Sequence, residues 1–176
     1  MLVADLLLLV LAARITSNQK QTSNMTNDEL KVKLSELLPS AAYEEGGQWL
    51  NINIDHKDWL YFANSLRNHP ELNFDYLFCL TCIDWKTHLT MVYHLESTQY
   101  RHPVVIKSKL DRAQAQIASV SHIWRTAEFY EREVYELFGV HFLNHPDLRL
   151  LILPEGWEGR NPLRKDFEDP INMIKL

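Results

Sequence analysis

The sequence predicts an α+β domain: a mixed sheet of about five strands with helices packed on one side, followed by an extended C-terminal tail. Three observations carry that expectation. Apolar residues recur at helical spacing in separate stretches, beginning at Leu30, Trp59 and Ile123. Between the second and third of these, three strand-like runs follow one another with no helix among them, a grouping that disfavours a doubly wound parallel sheet. Beyond Gly139, prolines at 146, 154, 162 and 170 leave no room for a helix of ordinary length.

The elements run helix, hairpin, helix, three strands, helix, tail. Thr26-Asn-Asp-Glu29 reads as a capping box opening a helix to about Leu38, with Leu30, Leu34, Leu37 and Leu38 on one face and Pro39 as its stop. Ala41 to Glu44 and Gln48 to Ile54 flank Gly46-Gly47 as a hairpin. Asp55 can cap the next helix, in which Trp59, Phe62, Ala63 and Leu66 share a face before the Asn-His-Pro of 68–70. Strands follow at Tyr76 to Trp85, Leu89 to Glu96 and Pro103 to Leu110. Within the second of them, Leu89, Met91, Tyr93 and Leu95 alternate with Thr90, Val92, His94 and Glu96, as a half-buried sheet requires.

Composition bounds the function classes. The 176 residues are 46% hydrophobic, enough for one domain with one core at residues 25–140, and the net charge of −5 offers no basic track for nucleic acid. Two cysteines, Cys79 and Cys82, are too few for a disulfide scaffold. The apolar run Leu6 to Ala13 covers about half of the roughly 20 residues a membrane helix needs, and no Lys or Arg precedes it. Met25 is the expected true start, and residues 1–24 the expected extension.

The last helix is expected from His122 to Phe138, with Gly139 as its C-terminal cap and Ile123, Ala127, Tyr130, Val134, Leu137 and Phe138 as its core stripe. Glu128, Arg132 and Glu136 then form a solvated ladder on the opposite face, worth about 0.3–0.5 kcal/mol per pair, and Glu131 and Glu133 flank the core stripe from its two edges. Trp124, Phe129 and Tyr135 fall off the stripe, which suggests burial by a partner. The tail, residues 141–176, is too apolar for a free linker at Leu148, Leu150 to Leu153 and Trp157. Such a ribbon can wrap its own domain or order on another subunit, with Arg149, Arg164 and Lys165 as polar anchors.

These residues carry a resemblance. Glu131-Arg132-Glu133, Glu136-Leu137-Phe138 and His145-Pro146-Asp147-Leu148-Arg149 resemble the signature of the C subunit of the proton-pumping NADH:quinone oxidoreductase, respiratory complex I. Trp157-Glu158-Gly159 and Pro162-Leu163-Arg164-Lys165-Asp166-Phe167 look like the family's second block; Ile83-Asp84-Trp85, Ser119 and Trp124 are similar to weaker features. The likeness spans residues 26 to 167 and is densest from Ser119. Leu150 stands where many relatives carry a second Arg, Asn161 reads as an insertion, and Glu168 replaces a frequent Pro.

The resemblance implies a non-catalytic subunit of the hydrophilic arm that holds no cofactor itself. Iron–sulfur clusters, FMN and quinone would belong to partner subunits, and the tail would lie along the D subunit, near the B subunit. Membrane association would be indirect, on the cytoplasmic face of a bacterial inner membrane. The interface expected from the motif comprises Phe129, Glu131, Arg132, Glu133, Tyr135, His145, Asp147, Arg149, Trp157, Arg164, Lys165 and Asp166.

The residues themselves supply no convincing catalytic or metal site. Cys79 and Cys82 lie three apart in a strand, hence on opposite faces, and read as buried thiols rather than ligands. His141 and His145 follow the helix-ending Gly139, and His145 is expected to bond backbone at the turn before Pro146. Asp84, Asp147 and Asp166 suit turn or anchor roles. Two other readings stay open: an equivalent subunit of a ferredoxin-dependent or hydrogenase-type membrane complex, and a soluble enzyme using Glu131, Glu133 and His145.

Overall fold

The computed structural model describes residues 25–44 and 46–169; the expected extension at residues 1–24 lies outside the described residues, as does Pro170. Helix α1 (Asn27–Leu37) starts at the predicted box, where the Thr26 hydroxyl accepts from the Glu29 amide and the Glu29 carboxylate accepts from the Thr26 amide. Strands β1 (Ala42–Glu44) and β2 (Leu50–Asp55) form the antiparallel hairpin, pairing Ala42 with Asn53. Helix α2 (Trp59–Asn68) does not use Asp55 as its cap. The Asp55 carboxylate instead accepts from the Lys57 amide, closing a turn that delays the helix until after Asp58.

Strands β3 (Tyr76–Asp84), β4 (His88–Glu96) and β5 (Pro103–Asp111) follow as an antiparallel meander. The sheet order is β1-β2-β5-β4-β3, with β2 parallel to β5 and every other pair antiparallel, so the sheet is mixed as expected. Two further strands, β6 (Gln116–Ala118) and β7 (His141–Leu143), pair in parallel around the last helix, α3 (Ala127–Phe138). Three residues are too few for alternation to show in sequence, so periodicity predicts neither strand.

One face of the sheet carries the core. Leu30 and Leu34 of α1, Trp59, Phe62 and Leu66 of α2, and Val134 and Phe138 of α3 join Ile52, Met91, Tyr93, Leu95 and Ile106 in a single buried cluster. Each such side chain contributes about 1.5–3 kcal/mol by leaving water.

Helix α3 is shorter than predicted because its approach is pinned to the open edge of β3. The Trp124 indole donates to the Phe74 carbonyl (2.8 Å), the Thr126 hydroxyl to Leu77 (2.9 Å) and the Tyr130 hydroxyl to Phe78 (3.0 Å). The Leu77 and Phe78 carbonyls border the register shift between Leu77 and Cys79, where the edge would otherwise present unpaired acceptors, and the Phe74 carbonyl lies just before the strand. Trp124 is therefore core, at 3% exposure, and the expectation that a partner buries it is corrected.

Gly139 ends α3 in the left-handed region, at φ 72°, its amide bonded to the Tyr135 carbonyl. A Cβ there would also lie 2.7 Å from the Asn161 side-chain oxygen and nitrogen. Gly139→Ala is accordingly expected to cost about 1–3 kcal/mol in denaturant unfolding and to displace the segment around Asn161. Faster amide exchange near Asn161 would report the displacement.

Candidate functional site

The face of α3 turned away from the core is covered by the chain's own tail. Glu136, 1% exposed, accepts from three successive amides: Leu151 (2.7 Å), Ile152 (2.9 Å) and Leu153 (3.2 Å). One turn earlier, Arg132 donates to the carbonyls of Arg149 (3.1 Å) and Leu150 (2.7 Å). The expected solvated ladder is thus a clamp, since buried charges at these positions need main-chain partners, and the tail supplies them. Glu128, the third member, pairs with Arg125 instead.

A second set of anchors takes the tail past the helix end. The Leu163 amide donates to the Leu137 carbonyl (3.0 Å) and the Arg164 side chain to Phe138 (2.7 Å), satisfying carbonyls that a helix C-terminus leaves without partners. Asp84, buried at the end of β3, then accepts from the Lys165 amide (2.9 Å), the Lys86 amide (2.7 Å) and both arms of Arg112 (3.0 Å each). The forked Arg112 guanidinium holds the Asp84 carboxyl far below the usual carboxylate range. Arg112 also reaches Asp166, at 2.5 Å.

Most of these bonds end on tail main-chain groups, which leaves tail side chains free to point outward. Leu151, Ile152 and Leu163 are exposed large hydrophobics, as are Phe129 on α3 and Trp85 beside the Asp84 anchor. Of the predicted interface residues, Phe129, Asp147, Arg149, Lys165 and Asp166 are exposed, while Glu133, Tyr135, Trp157 and Arg164 are half-buried and the His145 side chain is fully buried. Glu131 and Arg132 are buried inside the chain, so their expected place on a partner-facing surface is corrected. Tyr135 packs against the core.

At the root of the tail, His145 bonds backbone as predicted. Its Nδ1 accepts from the Asp147 amide (3.0 Å), which puts the ring hydrogen on Nε2, 3.0 Å from the Glu128 carbonyl. Beside it Glu131 is fully buried, with the Val120 amide donating to Oε1 at 2.8 Å. Burial pushes the Glu131 carboxyl up to about 7, against the lowering pull of Ser119 and the Val120 amide.

Cys82 is buried, and burial pushes its thiol up to about 12; Cys79 lies half-buried. Their placement does not fit the four-ligand set of a cluster. Among the described residues, no three His, Cys, Asp or Glu side chains converge to hold a metal, and no helix is long and apolar enough to cross a membrane. Sequence reasoning missed Arg112 and the Asn161–Gly139 contact. Both join segments far apart in the chain, and no local pattern marks them.

Residues 52–170 match the sequence model of the respiratory-chain NADH dehydrogenase 30 Kd subunit. The chain belongs to that family. Its relatives include the C subunit of the NADH-quinone oxidoreductase of Chlorobium phaeobacteroides, 42% identical over 118 residues that make 65% of this chain and 70% of the relative. Another is the C/D subunit of the Phocaeicola vulgatus oxidoreductase, 43% identical over 58% of this chain but only 20% of that longer polypeptide. Among solved structures, a chain of an archaeal membrane-bound sulfane sulfur reductase, a respiratory membrane complex, superposes with TM-score 0.71 at 26% identity, over 80% of this chain and 85% of the other. The matched segment of this 30 Kd family member thus includes the whole clamp, from Asp84 and Arg112 through Glu136 to Lys165.

Proposed function

We propose that this chain is a non-catalytic structural subunit of the peripheral arm of a respiratory NADH:quinone oxidoreductase, where electron transfer from NADH to quinone drives proton translocation. The observation that carries the reading is the strap, residues 149–167, held by its main chain against α3 and β3 while Leu151, Ile152 and Leu163 remain exposed. Apolar side chains held outward on a clamped ribbon suit a surface for a neighbouring protein to cover. The D subunit is the proposed neighbour, supported by a relative that bears the joint name C/D as one polypeptide. The B subunit, FMN, the iron–sulfur clusters and the quinone belong to the rest of the arm, on the cytoplasmic face of the membrane.

A second reading keeps the architecture and changes the electron donor. The superposition on a chain of a sulfane sulfur reductase favours it, because the same fold serves a complex of different redox chemistry. Affinity isolation of the tagged full chain from its own membranes tests both. Co-isolation of D-like and B-like subunits with NADH:quinone activity supports the first reading, and the same subunits without NADH oxidation support the second. A chain that emerges alone, turns over a substrate and loses activity on Glu133→Gln would overturn both.

A further inference from the structure

Glu131 is the one group at this site that clamping leaves unexplained. Its Oε1 is bonded, but Oε2 is buried with no hydrogen-bond partner among the described residues, and lies 3.9 Å from His145 Nε2. The groups facing it are few. Ser119 and Val120 face it from the segment after β6, and His145 from the tail root. Tyr93 of β4 feels its charge, with Trp59 of α2 and Cys82 of β3 beside the phenol; Tyr93 Oη and Trp59 Nε1 likewise have no partner among the described residues. No Lys or Arg is among these neighbours to stabilise a carboxylate, and a buried charge without a partner favours the protonated acid.

His145 is seated by the two bonds that start the tail, to the Glu128 carbonyl and from the Asp147 amide. Asn144, at φ 62°, and Pro146 fix the chain on either side, so this ring is the hinge point between β7 and the strap.

We propose that Glu131 and His145 form a proton-linked latch: protonated Glu131 leaves His145 seated on Glu128 and Asp147, and ionised Glu131 draws the His145 Nε2–H to Oε2 and unseats both bonds. The proton lost from Glu131 goes to solvent, and the His145 ring keeps its Nε2–H and changes only that hydrogen's acceptor. The root of the strap is therefore held at mildly acidic pH and loosened as pH rises through neutrality. The latch stands on this chain's own geometry, whatever complex the chain enters.

The test is amide exchange at Asp147 in the full chain, corrected for intrinsic rate, between about pH 5.5 and about pH 8.5. Protection should fall about tenfold with a midpoint near neutrality, and Glu131→Gln should keep it high and flat. Flat protection in the wild type, or an equal fall in Glu131→Gln, overturns the latch. Should that variant misfold, the carboxyl carbon shift of Glu131 in the wild type decides. It must titrate with the same midpoint as the Asp147 amide, and a carboxylate already ionised at the acidic end overturns the proposal.

Discussion

Glu136→Ala is expected to release the strap from α3. Three amides, those of Leu151, Ile152 and Leu153, lose one shared carboxylate, and Arg132 alone then holds this stretch to the helix. Bonds to a charged group contribute about 1.5–3 kcal/mol each, and water replaces part of the loss at these half-open positions, so docking should weaken by about 2–4 kcal/mol. Hydrogen exchange checks this residue by residue. The three amides should lose protection, while the central strands β4 and β5, which the strap bonds do not reach, should keep theirs within about 1 kcal/mol. Equal loss throughout would mean that the strap is integral to the fold.

Glu131→Gln is expected to stabilise the chain above neutral pH. The folded pKa of about 7 lies above the ordinary 4.5, so the folded state binds the proton more tightly than the unfolded chain does. The group's contribution is fully present below about pH 4.5 and is lost as pH rises to about 7. Gln keeps the acceptor for the Val120 amide and removes the titration, so the variant should gain about 3 kcal/mol over the wild type at pH 8 and little at pH 4. Denaturant unfolding across that range measures it. A difference independent of pH would mean that Glu131 is already ionised in the fold.

The sheet and its helices are legible in the sequence because their signals are local. The box at Thr26 marks a helix start, and the alternation of Leu89 to Leu95 and the stripe on α3 each repeat at a period that only one kind of element satisfies. The clamp is not legible, although most of its residues lie within the conspicuous motifs. Arg132 and Glu136 sit four apart on a helix, and the ordinary reading of that spacing is a solvated pair. Nothing within α3 says that a ribbon fifteen residues further on will cover it. Trp124 misleads for the same reason, since its partner, the Phe74 carbonyl, lies fifty residues earlier, just before strand β3.

Residue chemistry leaves two resting places for the tail, its own domain or another protein of the assembly. Main chain and side chain divide them. The backbone of residues 149–153 and the Leu163 and Lys165 amides bond this domain, whereas Leu151, Ile152 and Leu163 stay exposed. An interface ordered before its partner arrives avoids part of the entropic cost of ordering a loose segment on binding.

Whether residues beyond Asn144 serve assembly, as proposed, is decided by co-purification of a tagged chain ending at Asn144 beside the full chain. Both should fold, because the core cluster lies almost entirely before that point. The full chain should bring down its D-like partner, and the shortened chain, though folded by circular dichroism, should not. Recovery of that partner at full yield with the shortened chain would contradict it.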